Sequence, residues 1–469
     1  MHRYFGTDGI RGTVGEPPLD PEFFLKLGRV VGAILNPRRE HVRIIIGRDT
    51  RQSGQLLQHA LTAGLLSSGA DVIDCGVFPT AGIAWLIRRL ALKAGAVLSA
   101  SHNPAEQNGI KFIDAAGFKF PEAVEEKIEA MLLDEEPAKR MPLSTRLGQV
   151  IDGRSYQDLY IQSLIDEHPV DFLRGLTLLV DCSNGAASGF GPQVFSRAGA
   201  AVIAIHATPD GTNINAGCGS EFVRRAPWEM GKLIQHYRAD FGLAFDGDAD
   251  RVVFVDENGQ LIDGDHMLGF LARYLERTGR LIGQTVVTTT MRNHGLKSFL
   301  EKSGIQVFET PVGDKYVVEK LVELRQQSPD QESFCLGGEQ AGHIDILNNE
   351  FTTGDGIRTA LFVMRAFIES GLPVLSQFAA GVGKTPQIIA SAYVGAGRRY
   401  DRNRLAEMEA LLHQDYPGLQ RVNLRYSGTE PLLRAMLEAN ESMTELELAR
   451  AAWIICRSAQ QAAGVENGS

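Results

Sequence analysis

Three stretches of the chain repeat one order of apolar and polar positions. Each opens on a short, continuous run of apolar and β-branched residues: VRIIIG from Val42, LTLLVDC from Leu176 and QTVVTT from Gln284. Such runs, bounded by turn formers, predict strands buried on both faces, as in a parallel sheet. A helical segment follows each and closes on a small or polar residue and Gly. A second strand then begins, in SSGADVIDC from Ser67, RAGAAVIAI from Arg197 and KSGIQVFET from Lys302. Glycine just past a helix supplies the left-handed cap that turns the chain into the next strand. A second helix is predicted near 82–92, 228–238 and 315–325, and a third strand at 95–98, 241–245 and 333–336. Strand, helix, strand, helix, strand is the doubly wound α/β pattern, with right-handed crossovers expected.

From about residue 377 the repeat stops. QIIASAYV, a helix near 404–414, RVNLRYSGTEPLLRAMLEA and an amphipathic helix from 445 to about 463 predict a smaller α+β domain. The expected boundaries are 1–153, 154–256 and 257–372 for three similar α/β domains, and 373–469 for the last. A length of 469 residues suits that number of domains.

Composition narrows the partners. Hydrophobic residues make up 44% of the chain, enough for several packed cores. A formal charge of −10 argues against nucleic acid or an anionic membrane as a partner. An anionic substrate must then be met locally, by a metal, a few Arg and Lys, or backbone N–H groups. No apolar run is long enough to span a bilayer, and the opening MHRYFGTDGI lacks a signal-peptide core, so a cytoplasmic location is expected. The five cysteines form no C-x-x-C pair and read as buried reduced thiols rather than zinc ligands or disulfides.

The chemistry is expected in the loops after the third strands, because ligands of doubly wound sheets collect at the carboxyl ends of strands. DGDADR places Asp246, Asp248 and Asp250 at alternate positions, where a tight loop aims all three at one centre as hard ligands for Mg²⁺ or Ca²⁺. An EF-hand is disfavoured although Glu257 stands at its twelfth position, because Arg251 stands where that loop needs Gly and a strand, VVFV, follows. Carboxylates ~4 Å apart repel by about 4 kcal/mol per pair at an effective dielectric near 20, so the spacing calls for a cation.

SASHNPAEQNG, Ser99 to Gly109, offers a nucleophilic serine or, equally, a polar turn fixed by Asn-Pro and Asn-Gly. IKFIDAAGFKF reads as a β-hairpin from Ile110 that brings Lys111 near the serine. GGEQAGH, Gly337 to His343, could wrap sugar hydroxyls through a Glu carboxylate, or be a plain hairpin turn. RYSGTEPLLR frames Ser427, Gly428 and Thr429 with Arg425 and Arg434, a good phosphate cradle, and FGTDGIRG repeats the theme with Thr7 and Arg11.

Together these loops resemble the α-D-phosphohexomutase family over essentially the whole chain. The motifs FGTDGIRG, GRDTRQSG from Gly47, SASHNP, DGDADR, GEQAGH and RYSGTEP stand in the family's order. The resemblance implies a heart-shaped, four-domain arrangement and an isomerase that moves a phosphoryl group between two sugar hydroxyls. Ser101 would carry the phosphate, and Asp246, Asp248 and Asp250 with phosphorylated Ser101 would hold one Mg²⁺ per chain. Lys111 and His343 would supply acid and base, with their roles open, Asn103 and Arg251 would orient the phosphoserine, and Arg11 would belong to the same catalytic set. Glu339 and Gln340 would read the sugar, and Arg425, Ser427, Gly428, Thr429 and Arg434 would hold the phosphate that is not reacting.

The expected partners are a hexosamine or hexose monophosphate, a sugar bisphosphate as activator, and an activating kinase or that bisphosphate for the first phosphorylation. RYFGTDGIRG, DGTNINAGCGS, PVGDKYV and the Gln of GEQ resemble the branch that interconverts glucosamine 6-phosphate and glucosamine 1-phosphate for cell-wall precursors. Three departures from that branch's pattern stand out: Ala341 in place of Ser, GSEF after Cys218 in place of GST, and Ala249 in DGDADR. They keep a glucose or mannose phosphomutase open as an alternative. A phosphatase or a non-catalytic sugar-phosphate sensor is the alternative from another class.

Overall fold

The computed structural model describes residues 4–6, 8–37, 42–134, 146–327, 332–395, 400–426, 432–440 and 442–462. The first sheet holds β1 (Ile10–Thr13), β2 (Arg43–Arg48), β3 (Asp71–Val77), β4 (Ala94–Leu98), β5 (Gln107–Asp114) and β6 (Val150–Asp152), in the order β1-β5-β4-β2-β3-β6. The second has β7 (Thr177–Asp181), β8 (Ala201–Ile205), β9 (Phe241–Phe245), β10 (Val252–Val255) and β11 (Leu261–Ile262), ordered β11-β10-β9-β7-β8. The third has β12 (Leu281–Thr289), β13 (Gln306–Thr310), β14 (Phe334–Gly338) and β15 (Ile344–Leu347), ordered β13-β12-β14-β15.

The repeat is therefore literal. In each sheet the first run pairs in parallel with both the second and the third, and the third pairs with a fourth, antiparallel strand. That fourth strand matters for the chemistry. An antiparallel neighbour needs only a short connection, so each chemically unusual loop is the turn out of β4, β9 or β14 into β5, β10 or β15. The expected hairpin from Ile110 takes a different form. β5 is a central strand between β4 and β1, and Phe118–Phe120 returns only through a single bridge, Ile113 to Lys119.

The apolar runs are buried as their composition predicts; Ile44, Ile45 and Ile46 are all within 1% of full burial. Their side chains point into two different cores. Ile44 and Ile46 pack with Phe24, Leu57 and Leu61 in a core belonging to the first sheet. Ile45 joins a core that continues into the second and third sheets through Phe78, Trp85, Tyr160, Phe190, Phe245 and Phe362. The helix Thr80–Arg89 is the keystone: residues 80–87 are all buried. Phe78, just before it, stands edge-on to Phe190 at 4.8 Å, and Trp85 stacks on Phe351 at 6.3 Å.

The fourth unit is separate. β16 (Gln387–Tyr393), β17 (Leu419–Tyr426) and β18 (Leu432–Ala439) form an antiparallel sheet, ordered β16-β18-β17, backed by helices Arg402–Asp415 and Glu445–Ala462. Its core of Leu433, Leu437, Ala451 and Ile455 is not continuous with the others. Polar contacts join it to the third unit. Arg421 donates to the carbonyls of Arg292 and Thr290 at 2.8 and 2.6 Å, and Asn293 Nδ2 donates to the Thr385 carbonyl at 2.9 Å. Such a junction permits domain motion, because little apolar surface has to be exposed to open it. All five cysteines are free, and among the described residues no helix is long and apolar enough to cross a membrane.

Candidate active site

Ser101 lies where the chain turns out of β4, with φ at 53°. Non-glycine residues enter this left-handed region only when their surroundings hold them there. Here the surroundings do. The Ser101 N–H donates to Ser99 Oγ at 2.8 Å, and Ser99 Oγ donates to Asp49 Oδ2 at 2.7 Å. The guanidinium of Arg51, only 1% exposed, reaches into the turn. Its Nε donates to Asp49 Oδ2 at 2.9 Å and Nη2 to the carbonyls of Ser101 and Asn103 at 3.1 and 2.7 Å. Nη1 donates to the carbonyls of Pro104 and Gln107. From the second domain, Asn215 Nδ2 reaches the Ser101 and Asn103 carbonyls at 2.9 and 2.8 Å.

Asp246, Asp248 and Asp250 occupy the turn from β9 to β10, and one oxygen of each lies within 4.8 Å of the others. Ser101 Oγ donates to Asp246 Oδ2 at 2.5 Å, which joins the first domain's serine to the second domain's acids. Only glycine at 247 permits this approach, since a Cβ there would fall 2.5 Å from the Ser101 carbonyl oxygen. Ala249 adopts φ 59°, where glycine would be unstrained. Alanine there carries roughly 1 kcal/mol of backbone strain.

Burial, then repulsion from Asp250 and Asp248, pushes the Asp246 carboxyl well above the usual range. Lys111 Nζ stands 2.9 Å from Asp248, 3.2 Å from Asp250 and 3.3 Å from Asp8. Burial works against its charge, but Asp248, Asp8 and Asp250 together hold the ammonium well above its ordinary range. Burial likewise opposes ionisation of Asp250, yet Lys111, His343 and Arg251 hold that carboxyl well below it.

Asp248 Oδ1 and Asp250 Oδ1 are buried acceptors with no hydrogen-bond partner among the described residues. Unpaired carboxylate oxygens are costly inside a protein, and a cation at the trio would satisfy both. The residues present therefore fit a metal ion, and an all-oxygen donor set favours a hard one.

The third loop closes on the second. Arg251 and His343 form an antiparallel backbone bridge. His343 Nε2 lies 3.2 Å from Asp314 Oδ1 and 4.0 Å from Asp345 Oδ1. Lys119 ties this group back to the first domain, at 2.9 Å from Asp314 and 2.6 Å from Asp8, and Arg11 also pairs with Asp8. Arg251 Nη1 faces His102 Nδ1 at 3.2 Å. Burial and the Arg251 charge push His102 down to about 3, so a neutral imidazole faces the guanidinium. Glu339 remains partly exposed, and its Oε1 accepts from the Gly313 N–H at 3.2 Å.

Arg425 and Arg434 stand directly opposite each other in the β17–β18 ladder. Burial and the Arg434 charge lower the Arg425 guanidinium's hold on its proton, against a smaller opposing pull from Glu339. Like charges across a ladder repel, and an anion between the two guanidinium groups would relieve that repulsion. Ser427, Gly428 and Thr429, like Thr7, lie outside the described residues.

Family models cover nearly the whole chain in the order of its sheets. Domains I, II and III of phosphoglucomutase/phosphomannomutase match residues 2–139, 158–259 and 263–384, and the C-terminal domain matches 389–452. The chain belongs to the α-D-phosphohexomutase family. This phosphohexomutase is 44% identical over 450 residues to the phosphoglucosamine mutase of Desulforudis audaxviator, covering 94% of this chain and 95% of that one. It is 42% identical over 440 residues to that of Shouchella clausii, covering 94% and 95%.

Two solved structures share the fold. A phosphoglucomutase/phosphomannomutase family protein from Burkholderia thailandensis has a TM-score of 0.75 at 22% identity, covering 98% of this chain and 97% of its own. Aspergillus fumigatus N-acetylphosphoglucosamine mutase, in complex with GlcNAc-6P and magnesium, has a TM-score of 0.64 at 17% identity, covering 98% and 96%.

Within this phosphohexomutase, Ser101, Lys111, Arg251, His343 and the aspartate trio come together as one cluster. Two residues given a ligand role by the resemblance, Asn103 for the phosphoserine and Gln340 for the sugar, have their side-chain amides engaged within the protein. Asn103 Nδ2 donates to Gln107 Oε1 at 2.6 Å, inside its own loop. Gln340 is 8% exposed, and its Nε2 donates to Asp265 Oδ2 at 2.9 Å and Gln387 Oε1 at 2.8 Å, which places it at the junction with the fourth unit.

Residues that sequence reasoning passed over complete the cluster: Arg51, Asp8, Lys119, Thr80, Asp314, Asp345 and Asn215. GRDTRQSG and PVGDKYV carried Arg51 and Asp314 in plain view, but nothing in either motif says what they face. The GSEF departure also acquires a place. Glu221 lies 3.9 Å from Arg251 Nη1. Burial opposes its charge, but Arg224, Arg251 and His102 hold its carboxyl down to about 2.

Proposed function

We propose that this phosphohexomutase interconverts glucosamine 6-phosphate and glucosamine 1-phosphate through phosphorylated Ser101 and a bisphosphorylated sugar. The observation that carries the reading is the 2.5 Å bond from Ser101 Oγ to Asp246, inside a closed trio of carboxylates. Full-length relatives named phosphoglucosamine mutase support the amino-sugar substrate. Asp246, Asp248 and Asp250 would hold Mg²⁺, which when bound neutralises the charge on the transferring phosphoryl group.

Ser101 Oγ gives its phosphoryl group to a sugar hydroxyl: the Ser Oγ–P bond breaks and a sugar O–P bond forms. The hydroxyl proton leaves to a base, for which His343 is the candidate, while Lys111, held as an ammonium, is the candidate to protonate the departing Ser101 Oγ. The bisphosphate then turns, and its other phosphoryl group returns to Ser101. Arg425 and Arg434 hold the idle phosphate, with Ser427, Gly428 and Thr429 assigned to the same cradle from their motif. Glu339 reads the sugar hydroxyls next to that cradle. The polar junction before β16 lets the fourth unit close and exclude water, which would otherwise hydrolyse the intermediate. A kinase or a sugar bisphosphate supplies the first phosphate, and a cytoplasmic location fits such substrates.

Substrate preference tests this reading directly. With Mg²⁺ and a bisphosphate primer, kcat/KM for glucosamine 6-phosphate should exceed that for glucose 1-phosphate or mannose 1-phosphate by about tenfold or more, ~1.4 kcal/mol. The reverse order would assign Ala341 and the GSEF segment to a different hexose. Steady phosphate release without isomer would mark a phosphatase.

Two variants probe the residues around the trio. Lys111→Ala should lose kcat and, in chelator, destabilise the fold by about 3–5 kcal/mol, because two buried carboxylates, Asp248 and Asp250, and the partly exposed Asp8 lose their shared cation. Mg²⁺ should restore much of the melting temperature but not kcat. Equal melting curves with and without Mg²⁺ would contradict the shared-charge account. Arg425→Ala should raise KM roughly 10–100-fold, for the loss of about 1.5–3 kcal/mol of charge-assisted bonding. Its melting temperature should hold or rise, since the charge opposite Arg434 is gone; an unchanged KM would remove Arg425 from the cradle.

A further inference from the structure

Behind the serine loop, three side chains from three separate segments meet. Asp181 ends β7, His206 follows β8, and Cys218 precedes the helix Gly219–Arg225. β7 and β8 are adjacent parallel strands, so Asp181 and His206 stand at the carboxyl edge where ligand-binding groups gather. Asp181 Oδ2 and His206 Nδ1 are 3.0 Å apart, and one ligand atom from each residue of the trio lies within 4.8 Å of the others. Asp181 and Cys218 are each about 2% exposed, whereas the His206 side chain is 40% exposed, which leaves a path from solvent.

We propose that Asp181, His206 and Cys218 form a second metal site, which takes one borderline-soft divalent cation of the Zn²⁺ or Co²⁺ class. The donor set decides the class. Thiolate, imidazole and carboxylate suit such ions, with water completing a tetrahedron, and do not suit Mg²⁺, which prefers the oxygen-only trio at Asp246. The cation's two charges replace two protons, one from the Cys218 thiol and one shared by His206 and Asp181, and both leave to solvent. The buried cluster thus gains no net charge on binding.

Its orientation is held by the backbone: the Ser183 N–H donates to Asp181 Oδ1 at 2.8 Å and the Gly219 N–H to Asp181 Oδ2 at 3.0 Å. Ser183 Oγ donates to Asn215 Oδ1 at 2.6 Å, and Asn215 grips the Ser101 carbonyl, so Ser183 and Asn215 link the site to the serine loop. No sequence spacing announces it, because residues 181, 206 and 218 come from different loops.

Cobalt(II) titrated into the full-length enzyme in excess Mg²⁺ tests the site, with Mg²⁺ guarding the oxygen-only trio. One equivalent should bind and produce the near-ultraviolet thiolate-to-cobalt band. Cys218→Ser should abolish the band. His206→Ala, at a half-exposed position that leaves folding intact, should weaken binding by about 10–100-fold or more, as loss of a metal-site partner does. The proposal fails if wild type binds without the band, if the band survives in Cys218→Ser, or if His206→Ala binds as wild type does.

Discussion

Ser101→Ala should lose mutase activity by about 10⁴-fold or more in kcat, the scale on which enzymes lose rate when a covalent nucleophile is removed. Phosphate on the intact protein, read by mass spectrometry, should vanish from the same variant. The fold should survive, because the turn is held by groups the substitution leaves alone. The 101 N–H still donates to Ser99 Oγ, and the 101 carbonyl still accepts from Arg51 and Asn215. Only the bond from Oγ to Asp246 and the 3.4 Å contact with His102 Nδ1 are lost. Alanine in a left-handed backbone is no worse placed than serine by more than about 1 kcal/mol. Full turnover by Ser101→Ala would sink the phosphoserine mechanism, and an unfolded variant would contradict the account of the turn.

The second large effect is expected at a residue with no part in the chemistry. Arg51→Met should destabilise the protein by about 3–5 kcal/mol, the penalty for breaking a buried ion pair from one side. Asp49 would lose its buried cation, accept only from the Ser99 hydroxyl and the residue 51 N–H, and have its carboxyl, already raised by burial, pushed up further. The carbonyls of Ser101, Asn103, Pro104 and Gln107 would all lose their Arg51 donor.

Activity should fall as well, since Ser101 Oγ reaches Asp246 only while this turn keeps its shape. Arg51→Lys separates the two roles: it keeps a cation for Asp49 but cannot serve four carbonyls. It should recover part of the stability in urea melts and little of kcat. A wild-type denaturation midpoint in Arg51→Met would refute the structural role, and wild-type kcat in both variants would refute the positioning one.

Some of this protein is legible in its sequence because the physics is local. A strand buried on both faces must be continuously apolar, so Ile44–Ile46 and Leu178–Val180 announced themselves. A tight turn that aims three carboxylates at one point needs them at alternate positions, so DGDADR announced a cation site. The threefold recurrence of strand, helix, strand, helix, strand directed the search to the ends of β4, β9 and β14, and Ser101, the aspartate trio and His343 lie in the turns there.

Other features come from encounters between distant segments, which no local pattern encodes. Lys111 was legible as a lysine near the serine, but its three carboxylates come from residues 8, 248 and 250. Gln340 belonged to a loop suited to sugars, yet Asp265 and Gln387 offered it a buried partnership that an exposed amide could not match. His343 gained Asp314 and, through it, Lys119 from the first domain. By itself the sequence determined the three α/β units, the fourth unlike them, and the carboxylate trio, while Ser101 as nucleophile rests on the family resemblance. Tertiary structure alone decided what each charge faces, because electrostatic interaction depends on distance through space and on burial, and neither is a property of spacing along the chain.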